Sequence, residues 1–263
     1  MNLRRFLTGI ALAVAAVLSA LAGNAQSSKH DVTISAAISL KDALNEVESI
    51  YTSSHSGTAL HLNLGASGTL QQQIEQGAPV DVFISASPKE MDALESKGML
   101  LPGTRHDLVK NQVVLIVPAD RPGVSNFQDL LRTEVKNVAM GEPRTVPAGN
   151  YAQQVLTHFG IYDQLKPKLV FGKDVRQVLA YVATDNADAG IVYATDARIT
   201  TRVKVVATAP DDSHAPVIYP VAIIKTSHEP SAAREFEQFL LGSQAHDVFA
   251  KYGFVPLGLS AGN

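Results

Sequence analysis

The stretch Val32–Tyr51, VTISAAISLKDALNEVESIY, decides how the chain is to be read: a buried strand, a tight turn at Ser39 and an amphipathic helix. After Ser39 the apolar residues Leu40, Ala43, Leu44, Val47, Ile50 and Tyr51 fall on one stripe of a 3.6-residue repeat. Ser39 sits where an N-cap belongs. The first-turn N–H groups that follow it have no partner within the helix, and the helix dipole adds partial positive charge there. Such a helix start suits a small anion. An ordinary capped helix in an α/β protein has the same pattern, so a single copy does not mark an anion site.

The pattern recurs downstream. TALHLNL (58–64) alternates like a second strand, and Gly65-Ala66-Ser67-Gly68 leads into a short helix closed by Gly77, with Ser67 in the role of Ser39. VDVFISA (80–86) is a third strand, followed by Ser87-Pro88-Lys89-Glu90, a capping box read as structural. The continuous apolar run QVVLIVP (112–118) fits a strand covered on both faces. Beyond it come a helix over 126–132, a strand over 137–140, and Val146-Pro147-Ala148-Gly149 opening another helix. Asp174 caps a helix whose Val175, Val178, Leu179 and Val182 share a face, and strand Gly190–Tyr193 ends in a tyrosine. Strands over 203–207 and 217–224 and helices near 230–241 and 244–252 complete the chain. This alternation specifies an α/β protein with mostly parallel sheets flanked by helices, and two such series fit two lobes.

Of the 263 residues 46% are hydrophobic, enough for one large domain or two modest ones. Residues 1–25 read as a signal peptide: Arg4 and Arg5 precede an apolar run from Phe6 to Leu21, and small residues between Ala22 and Ala25 suit a signal peptidase. The run is short for a bilayer span, and with no cysteine a lipoprotein anchor is excluded. Removing the leader takes away two of the 22 basic residues and none of the 25 acidic ones, leaving a formal charge of −5. The lack of cysteine also excludes disulfides and thiolate metal sites. No basic run or interleaved aromatic pattern points to nucleic acid.

Enzyme signatures are missing as well. The sequence has no GxxxxGK[ST] loop, no HExxH, no GxGxxG after the first strand and no GxSxG elbow. A secreted serine hydrolase built on Ser67 would need a histidine base, and the eight histidines show no telling spacing. His55 and His61 are not at a ligand spacing that fixes metal geometry.

The segments ISAAISLKDAL (34–44), LGASGTLQQQIEQGAPVDVFISAS (64–87), VAMGEPRTVPAGNYAQQVL (138–156), PKLVFGKDVRQVLAYV (167–182), DAGIVYATDA (188–197), VKVVATAPDDSH (203–214) and FAKYGFVP (249–256) together resemble the periplasmic molybdate-binding proteins that feed ABC transporters. The resemblance runs from about Asp31 to Pro256. It implies a two-lobed periplasmic-binding-protein fold with the oxyanion in the interlobe cleft, held by neutral donors. Carried onto this sequence, the donors are the hydroxyl and N–H of Ser39 and Ser67, the N–H of Ala148 and Val175, and the hydroxyl of Tyr193. Ile38 and Gly68 depart from the small or serine residues expected beside the two serines, with an effect on cleft width. Asp196 is left out of the site as a turn or cap residue, because a carboxylate would repel a dianion.

The residue-level reading reaches the same places, since Ser39, Ser67, Ala148 and Val175 all precede or begin helices that follow strands. A donor-only pocket accepts molybdate, tungstate or sulfate and handicaps phosphate, whose proton lacks an acceptor. The choice of molybdate over sulfate rests on pocket size, which the resemblance supplies. The expected protein is therefore a monomeric, non-enzymatic periplasmic receptor without a cofactor, delivering molybdate, and tungstate too, to an inner-membrane permease. Its lobes are residues 31–110 with 216–263, and 111–215, with hinge closure around crossings near Gln112 and Pro216. A sulfate receptor of the same fold differs only in anion preference, and a ferric-iron receptor would want clustered tyrosines, whereas the seven here are dispersed along the sequence.

Overall fold

The first strand and the helix after it set the frame. In the computed structural model, which describes residues 30–257, β1 (His30–Ala37) carries Val32, Ile34 and Ala36 fully buried, as a strand covered by helices requires. A 3-10 turn, Ile38–Leu40, links it to α1 (Lys41–Ser54), whose Ala43, Leu44, Val47 and Tyr51 are buried on one face. The signal peptide read at residues 1–25 lies outside the described residues.

The chain continues through β2 (Thr58–Gly65), α2 (Ser67–Glu75), β3 (Val82–Ile84), α3 (Pro88–Ser96) and β4 (His106–Lys110). A two-residue link, Asn111-Gln112, then carries it into β5 (Val113–Pro118), all six of whose residues are buried. There follow β6 (Val138–Gly141), α4 (Pro147–His158), α5 (Tyr162–Leu165), β7 (Leu169–Gly172), α6 (Val175–Ala183), β8 (Ala189–Tyr193), α7 (Ala194–Ala197) and β9 (Val203–Thr208). The chain ends its described course with β10 (Ile218–Ile223), α8 (Pro230–Leu240), α9 (Ser243–Lys251) and β11 (Val255–Pro256).

The strands form two sheets, one ordered β11-β4-β10-β3-β1-β2 and the other β7-β6-β8-β5-β9. β4 and β5 adjoin in sequence yet belong to different sheets, and β10 returns from the second sheet to the first. The expectation of mostly parallel sheets needs correction. β1 pairs in parallel with β2 and β3, as β6 does with β7 and β8, whereas β10, β4 and β11 pair antiparallel in one sheet and β5 with β8 and β9 in the other. The reason is connectivity. Parallel neighbours need a helical crossover, and strands entered by a direct link from the other sheet arrive in the opposite sense.

A second difference concerns 126–132. The expected helix is only a 3-10 turn at Gln128–Leu131, because the buried Asp129 carboxylate accepts from the N–H of Ser125 (2.8 Å), its hydroxyl (2.9 Å) and the N–H of Asn126 (3.3 Å). Local side-chain bonds of this kind compete with the helical ladder. No helix among the described residues is long and apolar enough to cross a membrane.

Candidate functional site

The carboxyl ends of β1, β2 and β3 face the starts of α4 and α6 and the end of β8, and a small cavity lies between them. Ser39, Ser67, Ala148, Val175 and Tyr193 all line it, so residues spread over 155 positions of sequence meet at one point. None of its lining residues carries a charge.

Local sequence explains each placement. Pro147 opens α4 and has no N–H, so the first main-chain donor of that helix is Ala148's. In α6, Asp174 caps through its carboxylate, which accepts from the N–H of Gln177 at 2.8 Å. That cap satisfies the third amide and leaves the first, Val175's, aimed outward. The helix-cap roles expected of Ser39 and Ser67 are corrected by the structure. Ser39 lies inside the 3-10 turn, Ser67 is the first residue of α2, and neither helix has a side-chain cap. Ser87 likewise bonds the Glu90 carboxylate and makes no cap bond to the backbone.

The two serine hydroxyls are spent on distant partners instead. Ser67 Oγ accepts from the N–H of Ala86 at 2.9 Å, which leaves its own proton free to be donated. Ser39 Oγ lies 3.0 Å from the hydroxyl of Tyr219, and that hydroxyl lies 3.3 Å from Asn111 Nδ2. The direction of this chain is fixed at its far end. Asn111 Oδ1 accepts from the N–H of Gln112 at 2.9 Å, so Nδ2 faces Tyr219 and Thr195 and can only donate. Tyr219 therefore accepts from Asn111 and donates to Ser39, and the Ser39 proton is left for the cavity. Tyr219 and Asn111 are absent from the sequence-level site, because nothing in the local pattern of 217–224 distinguishes a tyrosine that packs from one that relays.

Tyr193 ends β8 with its ring buried, and its hydroxyl donates to the Ala86 carbonyl of the other sheet at 3.4 Å. Burial holds the hydroxyls of Tyr193 and Tyr219 well above the ordinary tyrosine range, so both stay protonated donors. The tyrosines dispersed in sequence do converge in part: Tyr151 meets Tyr193 edge-on at 6.5 Å, and Tyr193 meets Tyr219 at 5.8 Å. Only Tyr193 of the three lines the cavity, and neutral phenols are poor ligands for a hard cation. Among the described residues no cluster of three His, Cys, Asp or Glu side chains could hold a metal ion. No histidine lines the cavity beside Ser67, so the geometry a serine hydrolase needs is not assembled here.

Just outside the cavity lies a charged group that the sequence reading did not include. Arg176 donates to Asp196 through Nε at 2.6 Å, and one of its terminal nitrogens donates to Asp42 at 2.8 Å and to the Ser39 carbonyl at 3.3 Å. Asp196 is fully buried, and burial pushes its carboxyl up to about 7 against the pull of Arg176. Asp196 does not line the cavity, and where a turn or cap role was expected its carboxylate forms a buried ion pair with Arg176.

The chain matches the family described as bacterial extracellular solute-binding protein over residues 32–255. It is 40% identical over 245 residues to the molybdate-binding protein ModA of Haemophilus influenzae, covering 91% of this chain and 95% of that one. To ModA of Escherichia coli it is 39% identical over 247 residues, with the same coverage. The solved structure of the Azotobacter vinelandii periplasmic molybdate-binding protein superposes with a TM-score of 0.77 at 26% identity, over 86% of this chain and all of that one. These matches agree with the resemblance carried by the seven segments, and with a fold of two helix-flanked sheets around a shared cavity they lead to one conclusion: the chain belongs to the bacterial extracellular solute-binding proteins.

Proposed function

We propose that this protein captures molybdate in the periplasm and hands it to an inner-membrane ABC permease, acting as a monomeric receptor and not as an enzyme. The observation that carries the reading is the convergence of five uncharged donor residues from both sheets on one cavity, in a chain whose relatives are molybdate-binding proteins. Ser39 and Ser67 offer hydroxyl and amide, Ala148 and Val175 amides, and Tyr193 its hydroxyl. Each bond to a dianion is charge-assisted, so a handful of neutral donors suffices. The 3.4 Å contact from Tyr193 to Ala86 is long, and an anionic oxygen outcompetes that carbonyl for the proton. Tungstate, nearly the same size, binds about as well.

In this reading residues 31–110 with 216–263, of which 258–263 lie outside the described residues, form one lobe and 111–215 the other. The segments at Gln112 and Pro216 serve as the hinge, and the closed form is the one the permease recognises. The leader at residues 1–25 provides export.

Thermal melting of the mature protein with molybdate, tungstate, sulfate, phosphate and Fe(III) tests the proposal. Ligand at about a hundred times its Kd adds about 2.7 kcal/mol, a rise of about 5–10 °C for a chain of this size. Molybdate and tungstate are expected to give that rise and phosphate none. A rise with sulfate or iron and none with molybdate would reassign the ligand.

The relay into Ser39 gives a second expectation. Tyr219→Phe removes the hydroxyl that orients the Ser39 proton while keeping the ring, and molybdate affinity should fall about tenfold, the net worth of one hydrogen bond. Titration calorimetry checks this, and an unchanged affinity would mean that Ser39 needs no orienting partner.

A further inference from the structure

Arg176 is the second residue of α6 and stands beside the cavity without lining it. Its bonds divide by lobe. The Nε bond to Asp196 stays within the body of β5–β9, where β8 leads directly into α7. The bonds to Asp42 of α1 and to the carbonyl of Ser39 cross to the other body. Asp196 is completely buried and the Arg176 side chain is 16% exposed, whereas Asp42 is 38% exposed. The guanidinium is thus held ready on one lobe by a buried partner and meets a half-exposed carboxylate on the other.

The flanking contacts show how closely the two bodies approach at this edge. The N–H of Gly68 donates to the Thr145 carbonyl at 3.0 Å, and a Cβ on Gly68 would come within 2.6 Å of that oxygen. At Gly68 no side chain stands between the lobes. The peptide carbonyl that Arg176 takes belongs to Ser39, and Arg176 itself follows Val175, so one guanidinium is tied to a donor residue from each side of the cavity.

We propose that Arg176 is the positioning residue that latches the lobes shut: carried on the second lobe by Asp196, its guanidinium engages Asp42 and the Ser39 carbonyl only when the cleft closes. This rests on reading the cavity as the anion site. The latch sets the lifetime of the closed complex and leaves the anion's own contacts neutral. Of the bonds Arg176 makes, opening breaks those to Asp42 and Ser39 and spares the one to Asp196, so Arg176 stays ordered between cycles. Arginine suits this role where lysine does not, since its planar fork serves two carboxylates and a carbonyl at once.

The test uses the full mature protein, molybdate as the probe, and three variants. Asp42→Asn is the primary one, because Asp42 is half-exposed and its loss strands no buried charge on its own lobe. Arg176→Lys, which keeps the charge but loses the fork, and the double variant complete a cycle. For Asp42→Asn, stopped-flow tyrosine fluorescence should show dissociation faster by about tenfold with association changed less than about twofold, the pattern expected when a charge pair made after encounter is lost. The ligand-free melting temperature should be unchanged, and the double variant should be no weaker than Arg176→Lys alone. Small-angle scattering reports closure in parallel. A wild type that compacts with molybdate, beside an Asp42→Asn variant with the same dissociation rate, would overturn the latch and leave the anion site standing. A wild type that compacts with none of molybdate, tungstate or sulfate would remove the anion site, and the latch with it.

Discussion

Ser39→Asp is expected to abolish molybdate binding outright, below detection by calorimetry, while leaving the fold of the ligand-free protein intact. Ser39 is buried and lines a cavity with no charged lining residue, and the one cation beside it, the Arg176 guanidinium bonded to its carbonyl, is already engaged by Asp196 and Asp42. Two unit charges about 4 Å apart at an effective dielectric near 20 interact with about 4 kcal/mol, and against a dianion that repulsion doubles to about 8 kcal/mol. The affinity loss therefore exceeds about four decades. The fold tolerates the change because Tyr219, already 3.0 Å from Ser39 Oγ, can donate to the new carboxylate. Ser39→Ala separates charge from shape. It removes only one donor to a charged acceptor, worth about 1.5–3 kcal/mol, so binding should weaken by about 10- to 150-fold and remain measurable. Equal losses in the two variants would show that the anion lies away from this hydroxyl.

The difference between those variants also marks what could be read in the sequence. The donors at Ala148 and Val175 are main-chain groups whose direction follows from a helix start, and a helix start is a local event written in Pro147 and Asp174. The same holds for the position of Ser39 after β1. What a serine hydroxyl does once it is there is not local: Ser39 meets Tyr219 across 180 residues and Arg176 reaches Asp42 across 134. Periodicity carries no trace of such partners, and so the relay and the latch exist only once the chain has folded. The direction of β10 and β5 escaped for a related reason. An apolar run looks alike in a parallel and an antiparallel neighbour, and the choice is made by the route of the chain between sheets.

Gly149→Ala is expected to damage stability and binding together, which Ser39→Asp does not. The N-terminus of α4 packs against the end of β6 so closely that a Cβ on Gly149 would overlap the carbonyl carbon and oxygen of Gly141 and lie 2.9 Å from its Cα. Gly141 is equally confined, since a Cβ there would come 2.7 Å from the Cβ of Val146 and 3.1 Å from the Gly149 nitrogen. The obstacle at Gly149 is backbone, with no flexible side-chain end to move aside. The helix start must shift, at an overpacking cost of about 1–3 kcal/mol or more. Melting should fall by about 5–10 °C for a loss near 3 kcal/mol. The same displacement carries the neighbouring Ala148 amide out of the cavity, and losing one charge-assisted donor costs about 1.5–3 kcal/mol of binding. The molybdate-induced rise in melting temperature should therefore shrink in this variant as well, because two glycines that let a helix lean on a strand are also what aims its first free amide at the anion. Melting and calorimetry together decide it: a destabilised protein with wild-type affinity would detach the Ala148 amide from the site, and an unperturbed melting temperature would mean that the contact between α4 and β6 is looser than the structure shows.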